Sequence, residues 1–544
     1  MTEPGTDQVH EGDGPLEQAS AEELVAGRVE GMAFHPDRRF WVVYLCLMMV
    51  QFLSAMYQTA VTTALPTVIG DLGGVAHMSW AITAYTLGQT LAMPVTGKLG
   101  DLVGRKPLYL TAIALFVGGS ALCGVSTGML EFTAFRFLQG LGGGGLMISS
   151  QAITGDLIPP RVRGTYMAPM GAIFGIASVL GPLLGGGLTD ALGWRWMFWF
   201  FLPFGIIAWV AVALALRMPR RRDRVSVDWA GLALTSVGAT GIVLIATWGG
   251  GAYAWTSPVM LGLILVTLVA WALLVPVERR AAEPIMPMSV LTNHTFIIST
   301  VVAVLLCACM FGMNGYLPTY LQMVHGVSAT MSGLILVPGA VGMFIGSMTS
   351  GILVTRTGRY RIYPVLGSLL AACGLMLLGA IPAGANAWWF GAAVFVLQLG
   401  VGMFLQLSVL IIQNALPASL LGTGTSANNF FREIGVSVGN TLVGVLFTSR
   451  LTSSLLGLGM SADAASSISP ETVSRLDGPT AAAVVDAYQH ALGPVLIGLA
   501  PVCVLAALVA LLFRPVPLST RTGLEQLAEE TGDDDGLADV PGID

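Results

Sequence analysis

The chain has 544 residues, 54% of them hydrophobic and only 10% charged, with a mean hydropathy of +0.76. Soluble chains carry about 25% charged residues, so most soluble classes are excluded; the apolar content suffices for roughly fourteen bilayer crossings of about 20 residues each. The net charge of -6 belongs to the ends, where nine acids precede Arg38 and Asp533, Asp534 and Asp535 form a run, leaving a basic body.

In chain order, 1–37 is an acidic, flexible tail with no cleavable signal pattern. Apolar runs at 40–62, 78–97, 108–126, 130–153, 165–187 and 196–216 predict a first six-helix bundle over 38–216. Runs at 229–248 and 257–277 add two inserted helices within 217–294. Runs at 296–317, 329–353, 362–381, 388–412, 425–448 and 491–513 predict a second six-helix bundle over 295–513. A long loop at about 449–489 separates its last two spans, and 514–544 is a second acidic tail. The fold expected is therefore an all-α integral membrane protein with fourteen spans.

Lys and Arg alternate between loops. With the N-terminus cytoplasmic, nearly all fall inside and only Arg195, Arg450 and Arg475 fall outside, which predicts an even span count and two cytoplasmic termini. The arginines stand one to five at a time between apolar runs, which is no nucleic-acid footprint. The six cysteines lie in apolar segments without a CxxC pair, and no GxSxG, HExxH or phosphate-binding loop occurs, so no metal, cofactor or enzyme activity is expected.

An internal repeat supports the two bundles. After the second span the chain reads GKLGDLVGRKP from Gly97, and after the tenth GILVTRTGRYR from Gly351, so Arg105 and Arg359 hold matching places in a GxLxxxxGR pattern. Gly97 and Gly104 permit close approach and a tight turn, and Asp101 and Arg105 can meet a helix N-terminus and a carboxylate. Asp156, at the inner end of span four, is a partner for Arg105. This turn resembles the GxLaDrxGRk motif of the major facilitator superfamily, and the resemblance implies that Asp101 and Arg105 form a cytoplasmic charge cluster closing the gap between the bundles.

Span five carries Gly171, Gly175, Gly181-Pro182 and Gly185, resembling the GxxxGPxxGG motif of drug-exporting members. Small residues there let helices approach and slide, and Pro182 introduces a bend, although ordinary helix packing also uses them. With Trp80, Tyr85, 136–140 and 431–435, the chain resembles the fourteen-span drug:proton antiporter family over nearly all of its length outside the tails. The resemblance implies export and, for Arg136, a place facing the central cavity and coupled to protons or substrate; a bond to Glu131 or a carbonyl is the alternative.

Glu433 is the one acid well within a span, and intramembrane acids are functional candidates. It either carries protons or forms a structural or gating pair with a neighbour such as Arg432. Family members usually hold an Asp in span one; Tyr57 stands there instead. The cavity candidates are then neutral: Tyr57, Gln58, Gln89, Asn314, Tyr316, Gln398, Gln406 and Asn429, about half of them expected to face the cavity. These features predict a proton-coupled antiporter exporting amphipathic drugs or toxic small molecules by alternating access. A lipid or lipid-like exporter on the same fold is the alternative, and a transport-inactive sensor the second. The expected setting is a monomer among the lipids of a bacterial cell membrane.

Overall fold

The computed structural model describes residues 36–72, 78–218, 228–250, 253–314, 316–382, 384–458, 460, 478–514 and 516–531. The expected flexible tail at 1–35 and the centre of the long loop, 461–477, lie outside the described residues.

Uniformly apolar runs form helices because lipid offers no partner for a free peptide group. Among the described residues these are α1 (Arg38–Leu72), α2 (Met78–Val103), α3 (Arg105–Val125), α4 (Met129–Leu157), α5 (Pro160–Leu192), α6 (Trp194–Trp199), α7 (Leu202–Ala215), α8 (Trp229–Trp248) and α9 (Pro258–Glu278). They continue with α10 (Met288–Leu291), α11 (His294–Asn314), α12 (Leu317–His325), α13 (Ala329–Thr357), α14 (Ile362–Ala380), α15 (Trp388–Ala415), α16 (Leu421–Gly457), α17 (Gly478–Ala510) and α18 (Gly523–Thr531). Side-chain caps start several of them: Asp228 accepts from Gly231 N at 2.8 Å and Ser328 from Met331 N at 3.2 Å.

Among the described residues, 11 helices are long and apolar enough to cross a membrane, or up to 12 with the bent α5 counted as one. Helices α2 and α4 are not among them. Each carries charge, Lys98 and Asp101 in α2 and Glu131, Arg136 and Asp156 in α4, and much of that charge is matched inside the protein rather than exposed to lipid.

One apolar core joins residues of α1 to α7, and a second joins residues of α11 to α17. The seam between them is built mainly by α2 against α16 and by α5 against α13. Helices α8 and α9 pair with each other outside both cores, and α8 leans on α2 and α16 at the edge of the seam. Trp80 meets Trp248 there at 5.3 Å, and Thr441 donates to Ala246 O at 3.1 Å.

At the C-terminal end of α1, Asp71 accepts from the Trp194 indole at 2.9 Å and pairs with Arg195 at 2.6 Å. The indole bond first, and then Arg195, holds the Asp71 carboxyl below its ordinary value. A depressed carboxylate contributes stability above its unfolded pKa and loses that contribution as pH falls through the folded pKa. Asp71→Asn is therefore expected to lower the melting temperature slightly at neutral pH, with the difference from wild type closing in acid, as read by thermal denaturation across pH.

Candidate functional site

The strongest polar cluster sits at the 97–106 turn, called here the motif face. Gly104 turns the chain between α2 and α3 at φ 103, a conformation that favours glycine. The turn delivers Asp101 to the start of α16 in the other bundle. Its carboxylate accepts from Gly422 N at 3.1 Å, Thr423 N at 2.7 Å and Thr423 Oγ1 at 2.6 Å, so an acid of one bundle caps a helix of the other. Arg105 binds Asp101 at 2.5 Å and Asp156 at 2.9 Å, and all three are buried. Gly97 makes this approach possible: a Cβ there would stand 2.1 Å from Ser426 Oγ.

The other half of the seam mirrors this arrangement with different chemistry. Gly351 and Gly164 meet backbone to backbone, so that a Cβ on Gly351 would lie 2.3 Å from Gly164 O. Thr165 and Thr355 bond through their hydroxyls at 3.1 Å, and Ser347 donates to Ala168 O at 3.2 Å. Arg359, expected with Asp101, Arg105 and Asp156 in a gating charge cluster, stands apart from that cluster among the described residues. Thr355 stands where the repeat would need an acid matching Asp101, and Arg359 is exposed, its N–H bonded to Thr357 Oγ1. Gly351→Val is expected to wedge this contact and cut transport about tenfold, since overpacking costs about 1–3 kcal/mol; initial rates at equal surface expression check it.

Three seam residues went unnoticed in the sequence. Arg163, fully buried, donates to Gly155 O, Ile158 O and, across the seam, Gln413 Oε1 at 2.9 Å. Gln413 Nε2 donates back to Gln151 O at 3.1 Å. The one available signal was Arg163 itself, a second arginine just inside a Pro159-Pro160 helix start, which loop charge alone explained. Gln151 Oε1 accepts from Asn429 at 2.7 Å, which makes Asn429 a seam residue rather than the cavity residue expected.

The small residues of α5 serve two neighbours. Gly175 faces Ala340 of α13, whereas Gly181 and Gly185 face Thr59 and Ala60 of α1. The helix bends by 41° between its segments Pro160–Ala177 and Leu180–Leu192. Pro182 supplies the cause, because it has no N–H for the carbonyl four residues earlier.

Deeper in the seam, buried Arg136 bonds Gln139 and lies 4.4 Å over the Tyr85 ring. Glu131 turns instead to Thr127, so it is not the partner of Arg136. Half-buried Glu433 interacts electrostatically with the Tyr85 phenol, as Arg136 does, which puts the three in one neighbourhood of α2, α4 and α16. Arg432 donates to Asn429 at 3.0 Å, and among the described residues it forms no ion pair with Glu433.

Tyr57 requires correction as a cavity candidate. It is buried inside the first core, donating to Phe198 O at 2.6 Å and packing on Phe116 and Phe201. Gln58 is exposed and Gln89 buried. Gln398 and Gln406 are buried with side-chain oxygens that lack a partner. Tyr316 packs on Phe447 at 5.3 Å within the second bundle, and the Asn314 side chain lies outside the described residues.

Residues 47–440 match the family model of the Major Facilitator Superfamily. An uncharacterized MFS-type transporter of Mycobacterium tuberculosis is 36% identical over 516 residues, covering 94% of this chain and 74% of the relative. A multidrug transporter protein of Bacillus subtilis is 37% identical over 364 residues, 67% of each chain. Two solved structures share the fold. The human organic anion transporter MFSD10 has a TM-score of 0.60 at 14% identity, covering 87% of this chain and 100% of its own. The proton:xylose symporter XylE has a TM-score of 0.57 at 13% identity, covering 90% and 98%. With two helical cores meeting at a seam closed by the Asp101 turn, and with a family match over most of its length, this chain belongs to the major facilitator superfamily and is a transporter, not an enzyme.

Proposed function

We propose that the protein is a fourteen-span drug:proton antiporter with both termini in the cytoplasm, exporting amphipathic drugs or toxic small molecules by alternating access. The observation that carries this reading is the polar lock across the seam at the motif face. Asp101, Arg105, Arg163 and Gln413 bind the bundles together at the motif face, the arrangement a transporter needs when that face is shut. Rocking would exchange this lock for an opening to the cytoplasm, with Gly164 and Gly351 providing smooth surfaces at the contact. Relatives described as a multidrug transporter and a multidrug resistance protein support drug cargo. The partners are then a small molecule, protons and membrane lipid, in a bacterial cell membrane.

Glu433 is the proton carrier in this reading, since it is only half-buried and the guanidinium of Arg432, which acts on it electrostatically, bonds Asn429 instead of forming a salt bridge with it among the described residues. Arg136 tunes it through the shared neighbour Tyr85. A lipid-like cargo is the second reading, favoured by the neutral amides Gln398 and Gln406 and by a span-one position filled by the structural Tyr57. Proteoliposomes with an imposed pH gradient separate these readings. Gradient-driven movement of a cationic dye supports drug export, lipid movement alone supports the second reading, and no movement of either defeats both in favour of a sensor.

A further inference from the structure

By composition the segment after α17 reads as a solvated acidic tail, yet its first part folds across the motif face. It begins on the second bundle, where Tyr360 Oη donates to Arg514 O at 3.0 Å and accepts from Val516 N at 2.9 Å. Asn414 of α15 grips both sides of the chain, donating to Pro517 O at 3.1 Å and accepting from Ser519 N at 3.0 Å. Leu518 is buried in the second core.

The strand then reaches the first bundle. Arg161 N, in the first turn of α5, donates to Ser519 O at 3.0 Å. Thr522 and Glu525 form a reciprocal capping box, with bonds of 2.6 Å and 3.1 Å, that starts α18. Leu524 is buried in the first core, and Gly523 fits so tightly that a Cβ would stand 2.8 Å from Gly155 O. At the far end of α18, Glu530 returns to the second bundle and accepts from Ala418 N at 3.0 Å and Ser419 N at 3.4 Å.

A segment bound to both bundles at a closed face cannot keep every contact when that face opens. Chain continuity with α17, together with Tyr360, Asn414 and Ala418, ties it to the second bundle. The contacts that must break are therefore those to α4 and α5. We propose that residues 516–531 are a latch that holds the motif face shut and releases Arg161, Gly155 and the Leu524 socket each time the face opens, so that the strength of the latch sets the opening rate.

The inference rests on the rocking of the two bundles, and hydrogen–deuterium exchange of the full chain in lipid nanodiscs separates the two ideas. Leu524→Ala empties the socket; Glu530→Gln weakens an exposed anchor without touching a core. Both variants are expected to speed exchange about tenfold in peptides covering 151–165 and 413–426, because Leu524→Ala removes contacts present only when the face is closed and Glu530→Gln weakens the second bundle's hold on the same bridge. Free exchange of α18 with unchanged exchange at 151–165 and 413–426 overturns the latch alone. The same unchanged result in a monodisperse chain truncated after Arg514 overturns it equally. Wild-type exchange at these peptides that ignores pH altogether overturns the rocking and the latch together.

Discussion

Glu433→Gln is expected to reduce gradient-driven transport in proteoliposomes at least ~tenfold while sparing substrate exchange at equal pH on both sides. Glutamine keeps the shape and polarity of the protonated acid but cannot release a proton. A chain that uses Glu433 as carrier would still bind cargo and alternate, and would lose its coupling to the gradient. Arg432 acts electrostatically on Glu433 while its guanidinium bonds Asn429, and among the described residues the two form no salt bridge for the substitution to break. If Glu433 were instead a structural acid, the same variant would lower thermal stability and slow both modes of transport together. The wild-type rate should rise with the imposed gradient and the variant rate should stay flat.

Asp101→Ala has the second large expected effect, acting on the balance of states rather than on coupling. The substitution leaves Gly422 N, Thr423 N and Thr423 Oγ1 without their acceptor and leaves buried Arg105 with Asp156 alone. Breaking a buried charge pair costs about 3–5 kcal/mol, and a loss of about 3 kcal/mol confined to the closed state moves the two-state balance about 100-fold. Both exchange modes should fall in parallel, and peptides covering 151–165 should lose protection as the face gapes. Asp101→Asn keeps one acceptor oxygen and should show a smaller loss in the same direction. Full turnover in Asp101→Ala would remove the seam lock from the mechanism.

The features legible in the chain were local ones. Apolar run length placed the long helices but not α10, α12 or α18, because lipid demands internal hydrogen bonding wherever a long apolar run sits. The glycines at 97 and 104 marked the turn, since close approach and a positive φ exclude side chains at those places whatever their partners. The repeat at 351–361 pointed to a matching contact at the second half of the seam. The shared GR pair also suggested a shared role, whereas Thr355 stands in the place of the acid and Arg359 lies apart from the Asp101 cluster among the described residues.

Other features depended on which face a helix turned. Tyr57 occupies the position where the family resemblance led an acid to be expected, yet its ring points into the first core, so position along the helix did not translate into a place in the cavity. Asn429 and Gln151 are 278 residues apart, and Arg163 and Gln413 are 250 apart; nothing in either neighbourhood names the other. The capping box at Thr522 and Glu525 starts a helix inside a segment whose composition read only as an acidic tail, and nothing local named what α18 would lie against. Composition and spacing thus determined that this chain forms apolar helices of membrane-crossing length with a charged turn after the second of them. Docking of the two bundles decided which buried polar atoms find partners across the seam, because a hydrogen bond in a dry interior needs its partner within about 3 Å, and only the packed bundles bring distant residues that close.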